Sequence, residues 1–231
     1  MDILECLMKI GFTKHESMLY LTLCKEGELT GYEASKISGI PRSNAYLALA
    51  GLVEKGGAYS IDSDAVRYMA VPAPELVSNT RRQMEEVLKC ILESIPVKKP
   101  STEPYITIAG RNHIINKMKN IINNAKERVY LSMSPAEISL VEKEISNAAG
   151  RGLKVVVITS EPVKSEGVIF YLNNKQPGQI RLIADSSHVL TGEIGQNELP
   201  TCLYSGNKNL IELIKDSLTN EIKLIQIKNN E

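Results

Sequence analysis

The chain has 231 residues, of which 43% are hydrophobic, enough for two globular domains, and its 27 Lys and Arg balance 27 Asp and Glu. It contains no apolar run of transmembrane length, and its first residues lack the basic segment of a signal peptide, so we expect a cytoplasmic protein that does not enter a membrane. Four widely spaced cysteines and three scattered histidines predict reduced, mostly buried thiols and no metal or cofactor site.

Two helices are predicted at the beginning of the chain. Residues 2–10 form a short amphipathic pattern, which Gly11 ends. Thr13 and Glu16 then provide the T-x-x-E pattern of a capping box, which opens a strongly apolar helix to about Lys25. We expect this second helix to form the base of the first core.

Residues 30–55 predict two short helices joined by a tight turn. Thr30 and Glu33 form a second capping box at the start of the first helix. Gly39 suits the left-handed position that ends a helix, and Pro41 suits the first turn of the next one. The pattern is that of a helix-turn-helix, although a generic helical pair would also fit it.

The second of these helices has the features of a DNA recognition helix. Its residues Ala45, Leu49 and Leu52 recur at helical spacing and should face the core. The exposed N-terminal end, which reads base edges and phosphates in helix-turn-helix proteins, then carries Arg42, Ser43, Asn44 and Tyr46.

A β-hairpin is predicted directly after the recognition helix, with strands at residues 58–61 and 66–71 around a turn at 62–64. A hairpin in this position is a wing, which favours DNA binding. The candidate DNA-binding residues are Thr30, Tyr32, Lys36, Arg42, Ser43, Asn44, Tyr46, Ser60 and Arg67. Arg42 is predicted to read a guanine, with Asn44 and Tyr46 next in importance and Ser43 and Thr30 contacting phosphate.

The charge of this region counts against DNA binding. Residues 1–75 carry seven Lys and Arg and ten Asp and Glu, a net charge of −3. A dimer would need its cations, Lys36, Arg42, Lys55 and Arg67, on one face, and we expect modest affinity with a shallow dependence on salt.

A long helix is predicted from Pro74 to about Ile95. Its apolar residues recur at heptad spacing, interrupted by Arg81, and form a seam of Val77, Met84, Leu88, Ile91 and Ile95. Such a seam predicts a helix that joins two copies into a homodimer, although packing on its own domain is the alternative. Residues 96–104, rich in proline, predict an extended linker.

Strands and helices alternate after residue 104, which predicts an α/β domain with helices covering a mixed sheet. Residues 153–159 (LKVVVIT) form the most apolar strand, which we expect at the centre. The other predicted strands are 105–109, 128–133, 180–184, 188–193, 201–204 and 222–227, and the predicted helices are 112–125, 136–149, 167–173 and 207–218.

The whole chain resembles the TrmB family of sugar-sensing transcriptional regulators. In the N-terminal part the resemblance rests on FTKHESMLYLTL, TGYEASKISGIPRSNAYLALAGLVEKG and RYMAVPAPEL. The C-terminal part resembles the phospholipase-D-like effector domain of that family through ITIAGRNHIINKM, AAGRGLKVVVIT and IRLIADSSHVLTGEI. The resemblance implies a winged-helix regulator with double-stranded DNA as partner and a sugar-like effector.

The catalytic motif of phospholipase D enzymes is incomplete in this sequence. That family acts through H-x-K-x(4)-D followed by a glycine, and Asp185 and Gly192 keep this spacing. The His and Lys positions fall on Gly178 and Ile180, which provide neither a nucleophile nor a charge. We therefore expect no catalytic residues and a domain kept for ligand sensing or dimerisation.

An effector site is predicted beyond the carboxyl ends of the strands, where ligands of open α/β sheets usually bind. Hydroxyl and carboxylate groups there suit a polyol better than a phosphate, although the same residues would also serve as ordinary turn residues. The candidate residues are Ser132, Ser134, Ser160, Glu161, Asp185 and Glu193.

The sequence thus predicts a mixed α/β protein with a winged helix-turn-helix at residues 1–73, a dimerising helix and linker at 74–100, and a phospholipase-D-like sensor domain at 101–231. The predicted function is a homodimeric, sequence-specific DNA-binding regulator that is not an enzyme. The alternatives are an interaction module that uses its winged helix to bind protein and, less favoured by the sequence, a phosphodiesterase.

Overall fold

The computed structural model describes residues 2–62, 65–96, 103–162, 165–195 and 199–228. It divides the chain into two compact units, Met1–Val97 and Lys98–Glu231. Most of the predicted turn at 62–64 and of the predicted linker at 96–104 lies outside the described residues. No helix in the described ranges is long and apolar enough to cross a membrane.

The first unit consists of helices and a small antiparallel sheet of strand order β1-β3-β2. In chain order its elements are α1 (Ile3–Lys9), α2 (Lys14–Glu26), β1 (Leu29–Thr30), α3 (Gly31–Ser38), α4 (Arg42–Glu54), β2 (Ala58–Ile61), β3 (Arg67–Ala70) and α5 (Ala73–Ser94).

Local signals fix the ends of these helices. Both predicted capping boxes are present: the Thr13 N–H donates to Glu16 Oε2 at 2.6 Å, and the Thr30 N–H donates to Glu33 Oε2 at 2.8 Å. Gly39 ends α3 in the left-handed conformation, with φ of 72°. These observations confirm the predicted helix-turn-helix. The two-residue strand β1, which pairs with β3, was not predicted because it is too short to show a pattern.

The core of the first unit lies between α2, α3, α4 and the small sheet. Ala45, Leu49 and Leu52 of α4 are buried there, as predicted from their spacing. Tyr20 of α2 donates its hydroxyl hydrogen to the Val71 carbonyl oxygen at 3.0 Å and so fixes the end of the wing, which is the hairpin of β2 and β3. Helix α5 follows, and Leu76 is its buried residue.

The second unit has a mixed sheet of strand order β4-β10-β9-β8-β5-β6-β7, in which β5, β6 and β7 are parallel and the remaining pairs are antiparallel. Its elements are β4 (Ile106–Ala109), α6 (Arg111–Asn124), β5 (Arg128–Met133), α7 (Pro135–Ser139), α8 (Glu142–Gly150), β6 (Lys154–Thr159), β7 (Val168–Leu172), β8 (Gln179–Ala184), β9 (His188–Glu193), β10 (Thr201–Ser205) and α9 (Lys208–Lys228).

Helices cover both faces of this sheet. Ile114 and Met118 of α6 and Ile145 of α8 pack on one face, while Ile211 and Leu218 of α9 pack on the other. The predicted mixed α/β fold with a winged helix-turn-helix is therefore confirmed.

Four predicted features of the second unit are wrong. The predicted helix 136–149 is two helices, α7 and α8, because the backbone leaves the helical region at Val141, whose side chain is fully buried. The predicted helix 167–173 is the edge strand β7. The predicted strand 222–227 is the last part of α9, where Ile225 is buried seven residues after Leu218. Strand β6 is interior but next to the edge strand, and β8 is the middle strand.

The cysteines also differ from the prediction. All four are free thiols, but only Cys202 is buried, and burial raises its pKa to about 11. Cys6 is partly buried, and Cys24 and Cys90 are exposed.

Candidate nucleic-acid interface and ligand cleft

The N-terminal end of α4 is open to solvent. The helix begins after Pro41 without a side-chain cap, so its first N–H groups are available to an anion. Arg42, Ser43 and Asn44 are exposed in this first turn. The Arg42 guanidinium carbon lies 4.2 Å from the ring centroid of Tyr32 in α3, and this cation–π contact orients the guanidinium group.

Helices α3 and α4 approach closely beside this turn. A Cβ atom at Gly31 would lie 2.4 Å from Cε1 of Tyr46, so any larger residue there would displace that ring from its present position. Leu47 is 73% exposed although it is apolar, a feature that helical periodicity alone does not reveal. Such a residue on a recognition helix suits the methyl group of thymine. We call the exposed set the reading surface: Tyr32, Lys36, Arg42, Ser43, Asn44, Tyr46 and Leu47.

Three of the predicted DNA contacts have other partners or lie apart. The Thr30 hydroxyl donates to Glu33 Oε2 at 2.9 Å as part of the capping box, so its proton is not available to a phosphate. Arg67 Nε lies 2.7 Å from Glu28 Oε1, and its Nη2 lies 3.7 Å from Glu33 Oε2. Ser60 is exposed on β2, in the wing.

The cations of the first unit therefore do not form one free face. Lys55 Nζ donates to Glu16 Oε2 at 2.7 Å, at the far end of α4, and Arg67 is held by Glu28. Burial alone would raise the pKa of Glu16, but the Lys55 and Thr13 hydrogen bonds lower it below its ordinary value. Helix α4 carries its acidic residue, Glu54, at its last position, so the reading surface itself has no carboxylate on α4.

The predicted seam of α5 is exposed. Its residues Val77, Met84, Leu88, Ile91 and Ile95 are between 44% and 59% exposed, and Val87 and Leu92 flank it as further exposed apolar residues. Ile95 lies just beyond the helix in extended backbone, because α5 ends at Ser94. The seam is therefore an apolar stripe without a cover in the described chain.

A polar cleft of about 560 Å³ lies at the end of the large sheet where β5 ends, beneath α9. Glu221 of α9 is at its centre. Lys175 Nζ donates to Glu221 Oε1, and Asn173 Nδ2 donates to the same oxygen at 2.6 Å. The Ser132 hydroxyl donates to Oε2 at 3.4 Å, and Arg181 Nη1 lies 3.7 Å from that oxygen.

Two of the three charged side chains in this cleft are largely buried. The side chains of Lys175 and Glu221 are 11% and 14% exposed. Burial of the Glu221 carboxyl group would raise its pKa, but the hydrogen bonds from Lys175 and Asn173 and the Lys175 and Arg181 charges outweigh burial and lower it. The cluster thus holds an ionised carboxylate between two cations.

The predicted effector residues are only partly brought together. Ser132 lines the cleft, and the Ser160 hydroxyl accepts the Lys175 N–H at 2.9 Å nearby. The Ser134 hydroxyl is buried and donates to Glu137. Glu161 and Glu193 are exposed at the same end of the sheet, where Glu193 is paired with Gln179. Sequence reasoning missed Lys175, Arg181 and Glu221. Lys175 follows a segment that was predicted as a helix, and Glu221 lies beyond the end of another predicted helix. Arg181 is near the amino end of a strand, whereas the site was sought at the carboxyl ends.

Asp185 does not belong to this group. Strand β8 runs antiparallel to β5, so the carboxyl end of β8 lies beside the amino end of β5, at the other end of the strands from the cleft. This corrects the prediction that Asp185 shares a site with the other candidates. The Asp185 carboxylate accepts the N–H groups of Lys126, Glu127 and Arg128 at 2.8 to 2.9 Å. Burial opposes its ionisation, but these backbone hydrogen bonds and the Arg128 charge lower its pKa.

The other positions of the phospholipase D pattern are also structural. Ile180 is buried in the core, and Gly178 has a φ of +87° and donates its N–H to Glu137 Oε1 at 3.1 Å. A Cβ atom at Gly192 would lie 2.4 Å from the Thr201 carbonyl oxygen, so β10 requires glycine there. Asp185 and Gly192 therefore keep the motif spacing for reasons of packing and hydrogen bonding.

The turn helices and the wing define a winged helix-turn-helix protein with a second, mixed α/β unit. The family model described as "Sugar-specific transcriptional regulator TrmB" matches residues 7–74. The model described as "Transcriptional regulator TrmB, EBD N-terminal subdomain" matches residues 105–220, half of the chain. The chain belongs to the TrmB family of transcriptional regulators.

The chain is also similar to individual proteins. The chain is 28% identical to the uncharacterized protein YrhO of Bacillus subtilis (strain 168), over 98% of this chain and 86% of that protein. It is 32% identical to the HTH-type sugar sensing transcriptional regulator TrmBL1 of Pyrococcus furiosus, over 57% of this chain and 40% of that protein.

Two solved structures are weakly similar to this chain. One is TrmBL2, described as an archaeal chromatin protein with a novel mode of DNA binding, with a TM-score of 0.46, 18% identity, and coverage of 96% of this chain and 97% of that chain. The other is Nuc from Salmonella typhimurium, a phospholipase D family member, with a TM-score of 0.41, 14% identity, and coverage of 52% of this chain and 93% of that chain.

Proposed function

We propose that this TrmB family member is a cytoplasmic, sequence-specific regulator that reads operator DNA through the N-terminal turn of α4. The observation that carries the proposal is the uncapped first turn, with Arg42 held over Tyr32 and Ser43 and Asn44 exposed beside it. A guanidinium oriented in this way can donate two hydrogen bonds to guanine O6 and N7. The free thiols fit a reducing compartment.

The regulator acts as a homodimer joined through the seam of α5. Four exposed apolar side chains at heptad spacing on α5, with Ile95 directly after the helix, match the pattern of a coiled-coil interface. A second copy of the chain supplies an identical stripe, so a two-fold axis would cover both. The dimer then presents two copies of α4 to half-sites roughly 34 Å apart.

Dimerisation also explains how a first unit with a net negative charge can bind DNA. With Lys55 and Arg67 paired to carboxylates, one copy offers few cations to phosphate, and Arg42 and Lys36 are those of the reading surface. Two linked copies bind more tightly than one because the second binding step is intramolecular. Few neutralised phosphates per copy still predict a shallow dependence on salt.

The second unit senses a small, sugar-like effector and does not catalyse a reaction. Support comes from the buried Ile180 and the structural Gly178 at the positions where the phospholipase D motif has Lys and His. The name of TrmBL1, a sugar sensing regulator, supports the choice of effector. A phosphodiesterase assay with a chromogenic diester should show no turnover above buffer, and turnover that purifies with the chain would contradict this part.

The test of DNA binding is a footprint of the full-length protein on the DNA upstream of its own gene. We expect two protected half-sites about one helical turn apart, and affinity that falls only modestly between 50 and 200 mM salt. The rival function is an interaction module that binds protein through its winged helix, which the net charge of residues 1–75 favours. Absence of protection, together with no measurable affinity for this or unrelated DNA, would support that rival.

A further inference from the structure

The cleft around Glu221 has a net charge of +1 from its charged residues. Lys175 and Arg181 supply two positive charges, and Glu221 supplies one negative charge. The two oxygens of Glu221 already accept three hydrogen bonds and form an ion pair with Arg181, whereas the ammonium and guanidinium groups have donors to spare. The unused hydrogen-bonding capacity of the cluster is therefore cationic.

The rest of the lining is rich in side-chain amides. Asn173, Asn174, Gln176, Gln179 and Asn220 all face the cleft. Each amide can donate and accept at the same time, which is the property that a hydroxyl group of a ligand needs from its partner. The described lining contains no aromatic ring on which a sugar could stack, so affinity has to come from charge and hydrogen bonds.

We propose that this cleft binds a small polyhydroxylated anion, such as a sugar acid or a sugar phosphate. The acid group accepts hydrogen bonds from the donors of Lys175 and Arg181 that Glu221 leaves unused, and the amides bind the hydroxyl groups. The inference rests on the proposed sensing function and assigns the site and charge of its ligand. It also changes the ligand expected from sequence, because the sequence placed no Arg or Lys at this edge.

The volume and position of the cleft fit this class. About 560 Å³ holds a six-carbon sugar with an acid group, within the usual range for small-molecule sites. The cleft lies beyond the carboxyl ends of parallel strands, with Ser132 at the end of β5 and Asn173 directly after β7. The nearly buried Lys175–Glu221 pair is neutral, so the excess positive charge of the cleft is that of Arg181, whose side chain is 38% exposed and can be reached by a ligand from solvent.

The test is calorimetry of the full-length protein with glucuronate, gluconate, glucose 6-phosphate, glucose and inorganic phosphate. At least one sugar anion should bind tenfold or more tightly than glucose, and the two kinds of anion separate a sugar acid from a sugar phosphate. Arg181→Gln should weaken that binding at least tenfold. Lys117→Gln removes a cation from a separate cavity of about 350 Å³ and should change it less than twofold.

Lys175→Gln combined with Glu221→Gln removes both partners of the buried pair, so no unpaired charge is left, and should also abolish binding of the anion while the protein stays folded. The proposal is overturned if glucose or inorganic phosphate binds as tightly as every sugar anion, if none of the anions binds, or if Arg181→Gln and the double variant bind unchanged. Operator affinity without ligand separates the outcomes. A chain that binds DNA but no anion loses only the cleft assignment, and one that binds the anion with unchanged operator affinity loses only the sensing function.

Discussion

The two units of the chain arrange their polar groups in opposite ways. On α4, Arg42, Ser43 and Asn44 are exposed, and Arg42 contacts an aromatic ring rather than a carboxylate. In the cleft of the second unit, Lys175 and Glu221 are nearly buried and bonded to each other. The first arrangement suits a large polyanion that approaches from solvent, and the second suits a small ligand that is enclosed.

The cations of the first unit that are not on the reading surface resemble Lys175 of the second unit. Lys55 and Arg67 each join two elements by binding a carboxylate, as Lys175 does in the second unit. Cations held in this way stabilise the fold and contribute little to long-range attraction of DNA. The reading surface therefore depends on few groups, and changes there should be felt strongly.

The largest effect is expected when the seam is broken. Leu88→Glu with Ile91→Glu places two carboxylates in an apolar stripe and should convert a dimer into monomers, with operator affinity roughly 100-fold lower because linkage is lost. Sedimentation measures the oligomeric state, and a DNA titration measures the operator affinity. Lys89→Glu changes the net charge by the same amount on an exposed position off the seam and should leave the dimer intact. A wild-type monomer at micromolar concentration would contradict the seam.

A smaller effect is expected from a change at the end of the large sheet that lies opposite the cleft. Asp185→Ala removes the acceptor of three backbone N–H groups and should lower the free energy of unfolding by about 2 kcal/mol. The substitution should not change ligand binding in the cleft, because Asp185 lies at the opposite end of the strands. The exposed Glu161→Ala should change neither. Loss of ligand binding without loss of stability in Asp185→Ala would restore Asp185 as an effector contact.

The contact between Arg42 and Tyr32 is expected to have a modest effect. Tyr32→Leu keeps an apolar side chain but removes the cation–π contact, which is worth about 0.5 to 1 kcal/mol at an exposed site. Operator affinity should fall about two- to fivefold in an anisotropy titration, while the melting temperature stays within a degree or two. Tyr32→Phe retains the ring and serves as the control. Equal loss in both variants would mean that the hydroxyl, and not the ring face, matters.

The smallest effect is expected on the stability of the protein when the pH is lowered. Because the pKa of Glu221 is lowered from 4.5 in the folded protein, its stabilisation is present above that value and is lost as the pH falls through the folded pKa. Between pH 7 and pH 3.5 the wild type should therefore lose more stability than the Lys175→Gln/Glu221→Gln variant. Parallel losses in thermal melts of the two proteins would show that the cluster does not contribute.

More of the first unit than of the second could be predicted from the sequence, and the reason is physical. Capping boxes at Thr13 and Thr30 and the left-handed Gly39 are local signals that act within one turn of a helix. The cleft is assembled from β5, the segment after β7, β8 and α9, so Glu221 and Arg181 meet only through tertiary structure. The direction of a strand within the sheet also depends on tertiary structure. For that reason Asp185 was grouped with residues that lie at the other end of the strands.

The most direct test of the account is the affinity of the full-length protein for its own operator when the first turn of α4 is altered. Arg42→Ala with Asn44→Ala should weaken binding at least tenfold at fixed salt, since each base contact is worth about 1 to 3 kcal/mol. Lys25→Ala removes one charge from an exposed position at the end of α2 and should leave affinity within twofold. If the double variant binds the operator as tightly as the wild type, α4 does not read DNA and the proposed function is wrong.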